Sequence, residues 1–258
     1  MNTSYTEENQ AHWLLAKLGK TVLRPGGKEL TLKLVHSLGI STGENVLEFA
    51  PGMGATAALL LKQHPKSYTA VEANENAAKN LQKKFIGKNV HVIIGNAAQS
   101  CQENESKDKV LGEAMLTMQA DHRKSEIIRE AYRILRKGGL YGIHELCLQP
   151  EGLDENTKAD IQKNLALAMH VNARPLTAAE WTALFEKEGF KVKEVLFSPM
   201  HLLEFKRLIA DEGVFRSLKI WFNILIYRNA RKRVLEMRHL FRKYQPHINA
   251  ISIIAEKI

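Results

Sequence analysis

Short apolar runs alternate with amphipathic stretches along the chain from Asn45 to Leu148. The apolar runs predict five buried strands, at residues 45–50, 68–72, 90–94, 110–116 and 140–148. Between the strands, the spacing of apolar residues predicts helices, of which 76–85 and 125–135 are the clearest. Strands that alternate with helices in this way are typical of a parallel sheet with helices on both faces. We therefore expect a doubly wound α/β fold, which binds ligands at the carboxyl edge of its sheet.

The two ends of the chain depart from this alternation. Two apolar clusters in the first forty residues predict helices, joined by the turn Arg24-Pro25-Gly26-Gly27 and ended by Gly39. Near the other end we predict a helix at 178–187 and strands at 190–197 and 248–255. The predicted domains are an N-terminal helical cap (1–40), a core (41–198 and 247–258) and a basic helical insert (199–246).

The composition excludes several classes of protein. The 258 residues are 45% hydrophobic and 25% charged, which is ordinary for a globular chain. Cys101 and Cys147 are too few for a disulfide framework and lack a zinc-site spacing, so we expect two reduced thiols and no metal. The chain begins without a signal-peptide pattern, and no apolar run reaches the roughly 18 residues of a membrane span. We therefore expect a cytoplasmic protein.

The most informative segment ends the first predicted strand, with the sequence Val46-Leu47-Glu48-Phe49-Ala50-Pro51-Gly52-Met53-Gly54. Glycines at this turn let a ligand approach the backbone, and the next helix presents free N–H groups. Gly52-x-Gly54-x-x-Ala57 also fits the dinucleotide fingerprint, so the turn alone leaves an NAD-type oxidoreductase open. Glu48 argues against it, because a buried carboxylate needs the cationic partner that an ammonium and a sulfonium supply and a pyrophosphate does not. Glu72 can accept hydrogen bonds from ribose hydroxyls, which fits either cofactor.

These residues resemble the class I S-adenosylmethionine-dependent methyltransferases, in particular the small-molecule enzymes of the type 11 group. The resemblance covers about residues 40–150. Its matching segments are the turn after Glu48, the acid Glu72, Gly95-Asn96-Ala97-Ala98, and Arg133-Ile134-Leu135-Arg136-Lys137-Gly138-Gly139. It implies a Rossmann-like, mostly parallel sheet with an antiparallel last strand, and S-adenosyl-L-methionine as the cofactor.

The resemblance also implies a role for each matching residue. The implied contacts are Glu48, Gly52 and Gly54 for the methionine end, Glu72 for the ribose, and Asn96 and Ala97 for the adenine, and Ala50 and Ala73 are also expected to contact the cofactor. Three positions depart from the family pattern: Ala50 replaces its usual first glycine, Asn96 a common aspartate and Lys137 a common proline. We expect Ala50 to be tolerated beside Pro51, and Asn96 to change the contact with the adenine amino group.

Residues on the acceptor side are less strongly indicated. Glu113 lies in the fourth predicted strand, whose end faces the reacting methyl group in the family, so it is expected to contact the acceptor or the methionine ammonium. His144 on the fifth strand is expected to take a proton from the acceptor, the alternative being a buried structural role. Gly26 and Gly27 are expected either to touch the cofactor carboxylate or to form only a turn between helices. His122, just before a predicted helix, is a candidate substrate contact or base, the alternative being an ordinary surface residue.

Class I methyltransferases usually end on adjacent antiparallel strands, so strands 190–197 and 248–255 are expected to pair across the insert. Residues 199–245 carry eleven cations and four anions, a balance of +7 within the formal net charge of +9. Val214 to Leu225 contain an apolar stripe at helical spacing, which a basic block follows at 228–233.

The insert has three open interpretations. The first is a helical hairpin packed on the sheet with a solvated basic face. The second is a lid whose cations attract an acidic acceptor. The third is a surface at 214–243 that contacts an anionic membrane and a lipid-like acceptor. Nucleic acid is not expected, because no aromatic–basic recognition motif accompanies the charge.

The sequence thus predicts a methyltransferase that acts on a small-molecule acceptor by direct displacement of the sulfonium methyl. Two alternatives stay open at this point. Glu48 and the antiparallel last strand argue against an NAD-type oxidoreductase. Turnover would exclude a non-catalytic cofactor-binding protein of the same fold.

Overall fold

The computed structural model describes residues 10–258. The expected absence of a signal peptide concerns the start of the chain, of which residues 1–9 lie outside the described part. The strands are β1 (Asn45–Phe49), β2 (Ser67–Glu72), β3 (Val90–Ile94), β4 (Lys107–Glu113), β5 (Leu135–Leu148), β6 (Leu176–Thr177), β7 (Phe190–Pro199) and β8 (Ile248–Lys257). The helices are α1 (Ala11–Lys17), α2 (Gly27–Leu38), α3 (Ala55–Leu60), α4 (Glu75–Lys84), α5 (Asp121–Ile134), α6 (Glu155–Met169), α7 (Ala178–Lys187), α8 (Phe205–Glu212), α9 (Val214–Ile226) and α10 (Arg228–Lys243).

The strands form one mixed sheet in the order β3-β2-β1-β4-β5-β8-β7, with β6 paired to β5. The pairs among β1 to β5 are parallel, whereas β8 runs antiparallel to both β5 and β7. This arrangement confirms the predicted Rossmann-like, mostly parallel sheet with an antiparallel last strand. The strand order reverses between β1 and β4, and open α/β sheets bind ligands at such a switch point.

Apolar clusters cover both faces of the sheet. One cluster packs Phe49, Ile128 and Trp181 on one face, and another packs Leu34 and Leu60 on the other. A third cluster joins the N-terminal helix α1 to α6 and α10, with Leu15, Leu165, Met237 and Phe241 among its buried members. The core therefore continues from the sheet into the helices at both ends of the chain.

The elements that differ most from the predicted pattern are α5, α6, β4, β5 and the short strand β6, which was not predicted. Helix α6 was not predicted, because it buries only Ile161 and Leu165 and its apolar stripe is weak. Strand β4 starts three residues earlier than expected because its first residues are polar, and it ends before Ala114, whose φ of 52° turns the chain. Helix α5 begins at Asp121 rather than 125, and β5 already starts at Leu135.

Helices α8, α9 and α10 lie between β7 and β8, and α8 holds the segment between α1 and α2. The carboxylate of Glu212 accepts hydrogen bonds from Thr21 N at 2.6 Å, Thr21 Oγ1 at 2.7 Å and Val22 N at 2.8 Å. Asp211 Oδ1 accepts one from Lys28 N at 2.8 Å. These hydrogen bonds connect the N-terminal cap to the insert. The division of the chain into cap, core and insert therefore stays a prediction. Within residues 10–258, no helix has the length and apolarity needed to cross a membrane.

Candidate active site

A cleft with two lobes lies at the carboxyl edge of β1, β2 and β4, beneath α1. The smaller lobe has a volume of about 130 Å³ and the larger about 430 Å³. The residues that line both lobes are His12, Trp13, Ala50, Glu72, Met115 and Met118. Together the lobes have the size of a small-molecule binding site.

The turn after β1 brings backbone to the cleft. Ala50, Gly52 and Gly54 all have positive φ, of 50°, 54° and 66°. Ala50 lines both lobes in a conformation that costs a residue with a Cβ about 1–2 kcal/mol. Gly52 lines the smaller lobe, and a Cβ there would meet no atom within 4 Å. Gly54 lines neither lobe, because it packs on α4, where a Cβ would lie 2.5 Å from Leu81 Cδ2. The expected cofactor contact of Gly54 stays a prediction, and the structure shows close packing at this position.

Glu72 is held by backbone N–H groups at the junction of the lobes. Its Oε2 accepts a hydrogen bond from Gly52 N at 2.9 Å, and its Oε1 accepts one from Asn74 N at 3.0 Å. The residue is only 5% exposed. Each carboxylate oxygen has a second lone pair, so Glu72 can accept further hydrogen bonds from a ligand in the cleft.

Glu48 is a buried acid that lines the smaller lobe. Among residues 10–258 its hydrogen-bond donor is the hydroxyl of Tyr68, 2.5 Å from Oε2. Burial raises the pKa of Glu48 to about 8 despite that hydrogen bond. The ionised carboxylate therefore needs a further positive partner, which a cationic ligand in this lobe would supply.

Arg24 and Glu113 form a buried pair on the wall of the smaller lobe. Arg24 Nη1 lies 3.5 Å from Glu113 Oε2, and both side chains are less than 10% exposed. Burial acts to raise the pKa of Glu113, but the Arg24 guanidinium and hydrogen bonds from His144 and Thr31 outweigh it and lower the pKa to about 2. Thr56 Oγ1 also donates to Glu113. Glu113 is thus a permanent anion that orients Arg24.

Arg24 Nε is buried and has no hydrogen-bond partner among residues 10–258. An unpaired donor at a ligand cavity fits an anionic group such as a carboxylate. The sequence pattern pointed to the glycines of this turn and not to Arg24. An arginine beside Pro-Gly-Gly was the available signal, but an isolated loop arginine is usually exposed.

His144 does not reach the cleft. Its side chain has no exposed surface, its Nε2 accepts a hydrogen bond from Gly26 N at 2.9 Å, and its Nδ1 lies 2.8 Å from Glu113 Oε1. This pattern assigns the proton to Nδ1, and burial lowers the pKa of His144 against the opposing effect of Glu113. The geometry contradicts the expectation that His144 takes a proton from the acceptor, because both ring nitrogens already have partners.

Gly26 and Gly27 also lie away from both lobes. A Cβ on Gly26 would lie 2.8 Å from His144 Nε2, and one on Gly27 would lie 2.6 Å from Asp211 Oδ1. These contacts fit the alternative of a turn between helices, and the expected contact of the two glycines with a cofactor carboxylate stays a prediction. They allow the turn to pack against β5 and α8, which places Arg24.

The larger lobe brings together the residues expected around an adenine. Ala73, Asn96 and Ala97 line it, beside Glu72 at the junction with the smaller lobe. Asn96 Oδ1 accepts a hydrogen bond from Ala98 N at 3.0 Å, and the amide nitrogen of Asn96 is a donor that a ligand can use. His122, at the exposed start of α5, lines neither lobe.

His12 lines both lobes and was not found from the sequence. Its ring lies 5.1 Å from that of Trp13, and burial lowers its pKa to about 4, so it is neutral at neutral pH. A single histidine on a short amphipathic helix carries no motif, so no sequence signal distinguishes it. Only the packing of α1 across the cleft shows its position.

Comparisons with known proteins agree with this arrangement. Residues 46–139 match the family model of the methyltransferase domain. A Haemophilus influenzae protein described as uncharacterized is 36% identical over 97% of this chain and 99% of its own length. The fold is similar to that of Haemonchus contortus phosphoethanolamine N-methyltransferase 2 in complex with phosphomonomethylethanolamine and S-adenosylhomocysteine, with a TM-score of 0.74 and 18% identity over 97% of this chain and 59% of that one.

A second similar structure is that of geranyl diphosphate methyltransferase in complex with S-adenosylmethionine, with a TM-score of 0.67 and 14% identity over 89% of this chain and 85% of that one. At these identities the solved structures show a common fold. Together with the matched domain, the strand order and the acids at the carboxyl edge of β1 and β2, they lead to one conclusion. The chain belongs to the class I S-adenosylmethionine-dependent methyltransferases.

Proposed function

We propose that this enzyme binds S-adenosylmethionine along the two-lobed cleft and transfers its methyl group to a small-molecule acceptor by direct displacement. The observation that carries the proposal is the convergence of Glu48, Arg24 and Glu72 around the turn at Gly52. Glu48 needs a cation, Arg24 Nε needs an acceptor, and Gly52 leaves room for a ligand against the backbone. An amino acid group carries both the cation and the acceptor.

Each residue of the cleft then has a defined part. In the smaller lobe Glu48 would bind the ammonium and Arg24 the carboxylate of the methionine end, with Ala50 and Gly52 as backbone contacts. At the junction and in the larger lobe, Glu72 and Ala73 would hold the ribose, and Asn96 and Ala97 would flank the adenine. When bound, the cofactor supplies a methyl group activated by a sulfonium.

Glu113 and His144 have a positioning role in this proposal. His144 bridges Gly26 N and Glu113, and Glu113 pairs with Arg24, so the network runs from β5 through the cap turn to the cleft. Glu113 stays ionised because the pKa is about 2, which keeps Arg24 oriented over the whole physiological pH range.

The acceptor would approach from the side that α1 covers. Trp13, Leu23 and Met118 make this wall mostly apolar, and His12 is its titratable group. His12 is neutral at neutral pH and can accept a hydrogen bond or a proton from the acceptor. With so few polar groups, positioning of the reactants and exclusion of water would supply most of the rate.

An apolar wall and a basic insert support an acceptor that is acidic or lipid-like. The two similar structures point in the same direction, since one contains phosphomonomethylethanolamine and the other is a geranyl diphosphate methyltransferase. Both of those compounds carry phosphate.

Calorimetric titration with S-adenosylmethionine, S-adenosylhomocysteine and NADH tests the first step. We expect micromolar binding of the first two compounds and no binding of NADH. Arg24→Met should weaken the binding of S-adenosylmethionine and S-adenosylhomocysteine. The control is Arg174→Met, which replaces an exposed arginine outside the cleft and should leave that binding unchanged. Transfer of labelled methyl to a panel of acidic and lipid-like acceptors tests the second step. Binding of NADH alone would refute the cofactor assignment, and cofactor binding without any turnover would favour a non-catalytic binding protein.

A further inference from the structure

Helix α9 presents most of its apolar side chains to solvent. Of its 13 residues, only Ser217 and Ile220 are buried. The side chains that are more than half exposed are Val214, Phe215, Leu218, Phe222, Leu225 and Ile226, and we call these six the α9 surface. Phe215 is 90% exposed. A contiguous apolar patch on this scale marks an interaction site, since isolated proteins rarely expose one.

Cations lie among and beside these apolar side chains. Arg216 and Lys219 are on α9 itself, and Arg228, Arg231 and Lys232 follow it on α10. Within residues 10–258, Arg216 alone of the five has an acidic partner within 4.0 Å, namely Glu212 at 3.9 Å. The surface therefore combines exposed hydrocarbon with unneutralised positive charge.

An apolar cavity of about 220 Å³ lies beside the α9 surface, between α1, α8, α9 and α10. Leu208, Ile220, Trp221 and Leu235 are among its lining residues, and Arg231 and Arg238 are the arginines that line it. Arg238 is already paired with Glu204 at 3.1 Å, so the cavity extends the α9 surface mainly as apolar surface.

The position of the insert argues against a lid. Among the described residues, none from 199–246 lines either lobe of the cleft. The start of α9 nevertheless lies near the rim of the smaller lobe. Arg216 Nη1 lies 3.9 Å from Glu212 Oε2, and Glu212 accepts a hydrogen bond from the backbone N–H of Thr21, which lines the smaller lobe.

The charge pattern decides between the possible occupants of the α9 surface. A second copy of the chain, placed with its α9 on this one, would bring two sets of five cations together. A nucleic acid or an acidic peptide would neutralise the cations but leave the aliphatic side chains without apolar contact. An anionic bilayer provides both, because cations meet its headgroups while apolar side chains enter the boundary with the acyl chains.

We propose that the α9 surface docks on an anionic membrane, with α9 parallel to the bilayer plane and the rim of the cleft beside it. The proposal does not depend on the identity of the acceptor, because vesicle binding is measured without methyl transfer.

The first test is co-sedimentation of the full chain with vesicles of phosphatidylcholine and phosphatidylglycerol, compared with phosphatidylcholine alone. We expect binding to the mixed vesicles only, and a loss of binding at high salt. The fluorescence of Trp221 should shift to the blue on binding, since this residue is 45% exposed beside the α9 surface. The shift should be absent in Trp221→Phe.

The second test compares two substitutions of equally exposed side chains. Phe222 is 62% exposed on α9, and Ile258 is 63% exposed at the far end of β8. Phe222→Ser should weaken vesicle binding by about tenfold or more, and Ile258→Ser should leave it unchanged. Lys219→Glu should weaken binding to mixed vesicles, whereas Lys187→Glu on α7 should have little effect.

Three results would overturn the proposal. The first is that the protein does not bind mixed vesicles. The second is that it binds both kinds of vesicle equally. The third is that Phe222→Ser and Ile258→Ser weaken vesicle binding to the same extent. A dimer in analytical ultracentrifugation that Phe222→Ser dissociates, together with absent vesicle binding, would instead identify the surface as a protein interface. Unchanged binding of S-adenosylhomocysteine shows that each variant is folded and separates this test from that of the cofactor site.

Discussion

Cofactor binding should release a proton, because Glu48 is protonated at neutral pH in the free protein. Burial raises the pKa of Glu48 from 4.5 to about 8. An ammonium group beside this carboxyl would favour its ionised form and lower the pKa again. Because the pKa of Glu48 is raised in the protein without cofactor, the cofactor must displace a proton from Glu48 below about pH 8, and this weakens its binding. Cofactor binding should reach its full strength above that pH.

The size of the effect follows from the pKa. At pH 7, about nine in ten molecules of the free protein carry this proton, and removing it costs about 1.4 kcal/mol. That cost corresponds to a factor of about ten in Kd. The Kd for the cofactor should therefore fall by about tenfold per unit between pH 6 and pH 8, and then level off.

S-adenosylhomocysteine is the suitable ligand, since it keeps the amino acid group and has no transferable methyl. Calorimetry at pH 7 in two buffers of different ionisation enthalpy should show release of about one proton per ligand bound. Glu48→Gln should abolish this release and flatten the dependence of Kd on pH. Glu236→Gln, an exposed acid on α10, is the matched control and should behave as wild type.

Two results would refute the reasoning. A wild-type Kd that is constant from pH 6 to pH 8 would show that Glu48 is already ionised or does not meet the ammonium. The same slope in Glu48→Gln would show that the ligand amine or another group titrates instead.

The remaining predictions concern stability and the geometry of the turn. The raised pKa of Glu48 stabilises the folded protein in its protonated form. This stabilisation is fully present below about pH 4.5, decreases by about 1.4 kcal/mol per pH unit above that value, and is lost as pH rises through about 8. Thermal midpoints of the wild type should therefore fall relative to those of Glu48→Gln between pH 5 and pH 8. Glu72→Ala should weaken S-adenosylhomocysteine binding by about 1.5–3 kcal/mol in calorimetry, the scale of a charged hydrogen bond, and an unchanged affinity in the folded variant would contradict its assignment. Glu212→Gln should lower the thermal midpoint, and it should also weaken cofactor binding although Glu212 lines neither lobe, because Glu212 holds the segment before Arg24. Lost stability with unchanged cofactor affinity would show that the hydrogen bonds of Glu212 do not position Arg24. Gly54→Ala should cost about 2 kcal/mol or more of unfolding free energy, because the φ of 66° is strained with a Cβ and Leu81 lies in its path. Gly52→Ala has a similar φ but no such clash, so it should reduce cofactor affinity more than stability; the opposite order would contradict the placement of the two glycines.

Much of the core could be predicted because its signals are local. Strand residues alternate between the two faces of a sheet, and turns need glycine where φ is positive, so apolar runs and the glycines after β1 are visible in the sequence. Glu48 and Glu72 were also found from local pattern, since Glu48 is an acid within the first predicted apolar strand and Glu72 ends the second. The turn has a positive φ at Ala50 as well, although alanine replaces the usual glycine there. The conformation of the turn is therefore kept at a position where the sequence lacks the glycine that predicts it.

The acceptor side could not be predicted in the same way. Arg24, Glu113 and His144 are far apart in the chain, and their roles depend on which atoms meet after the cap packs on β5. The sequence indicated that His144 was on a strand, but not that both of its nitrogens were already bonded. His12 reaches the cleft only because α1 crosses its opening.

The sequence by itself determined the alternation of strands and helices from β1 to β5, the methyltransferase family and the basic character of the insert, because each follows from patterns within a few consecutive residues. The tertiary structure alone decided what each amphipathic surface contacts. The apolar stripe of α9 is a helix by its periodicity, but periodicity does not say whether another part of the chain covers it. Exposure, pairing and pKa depend on atoms brought together from distant positions, so these properties appear only once the chain is folded.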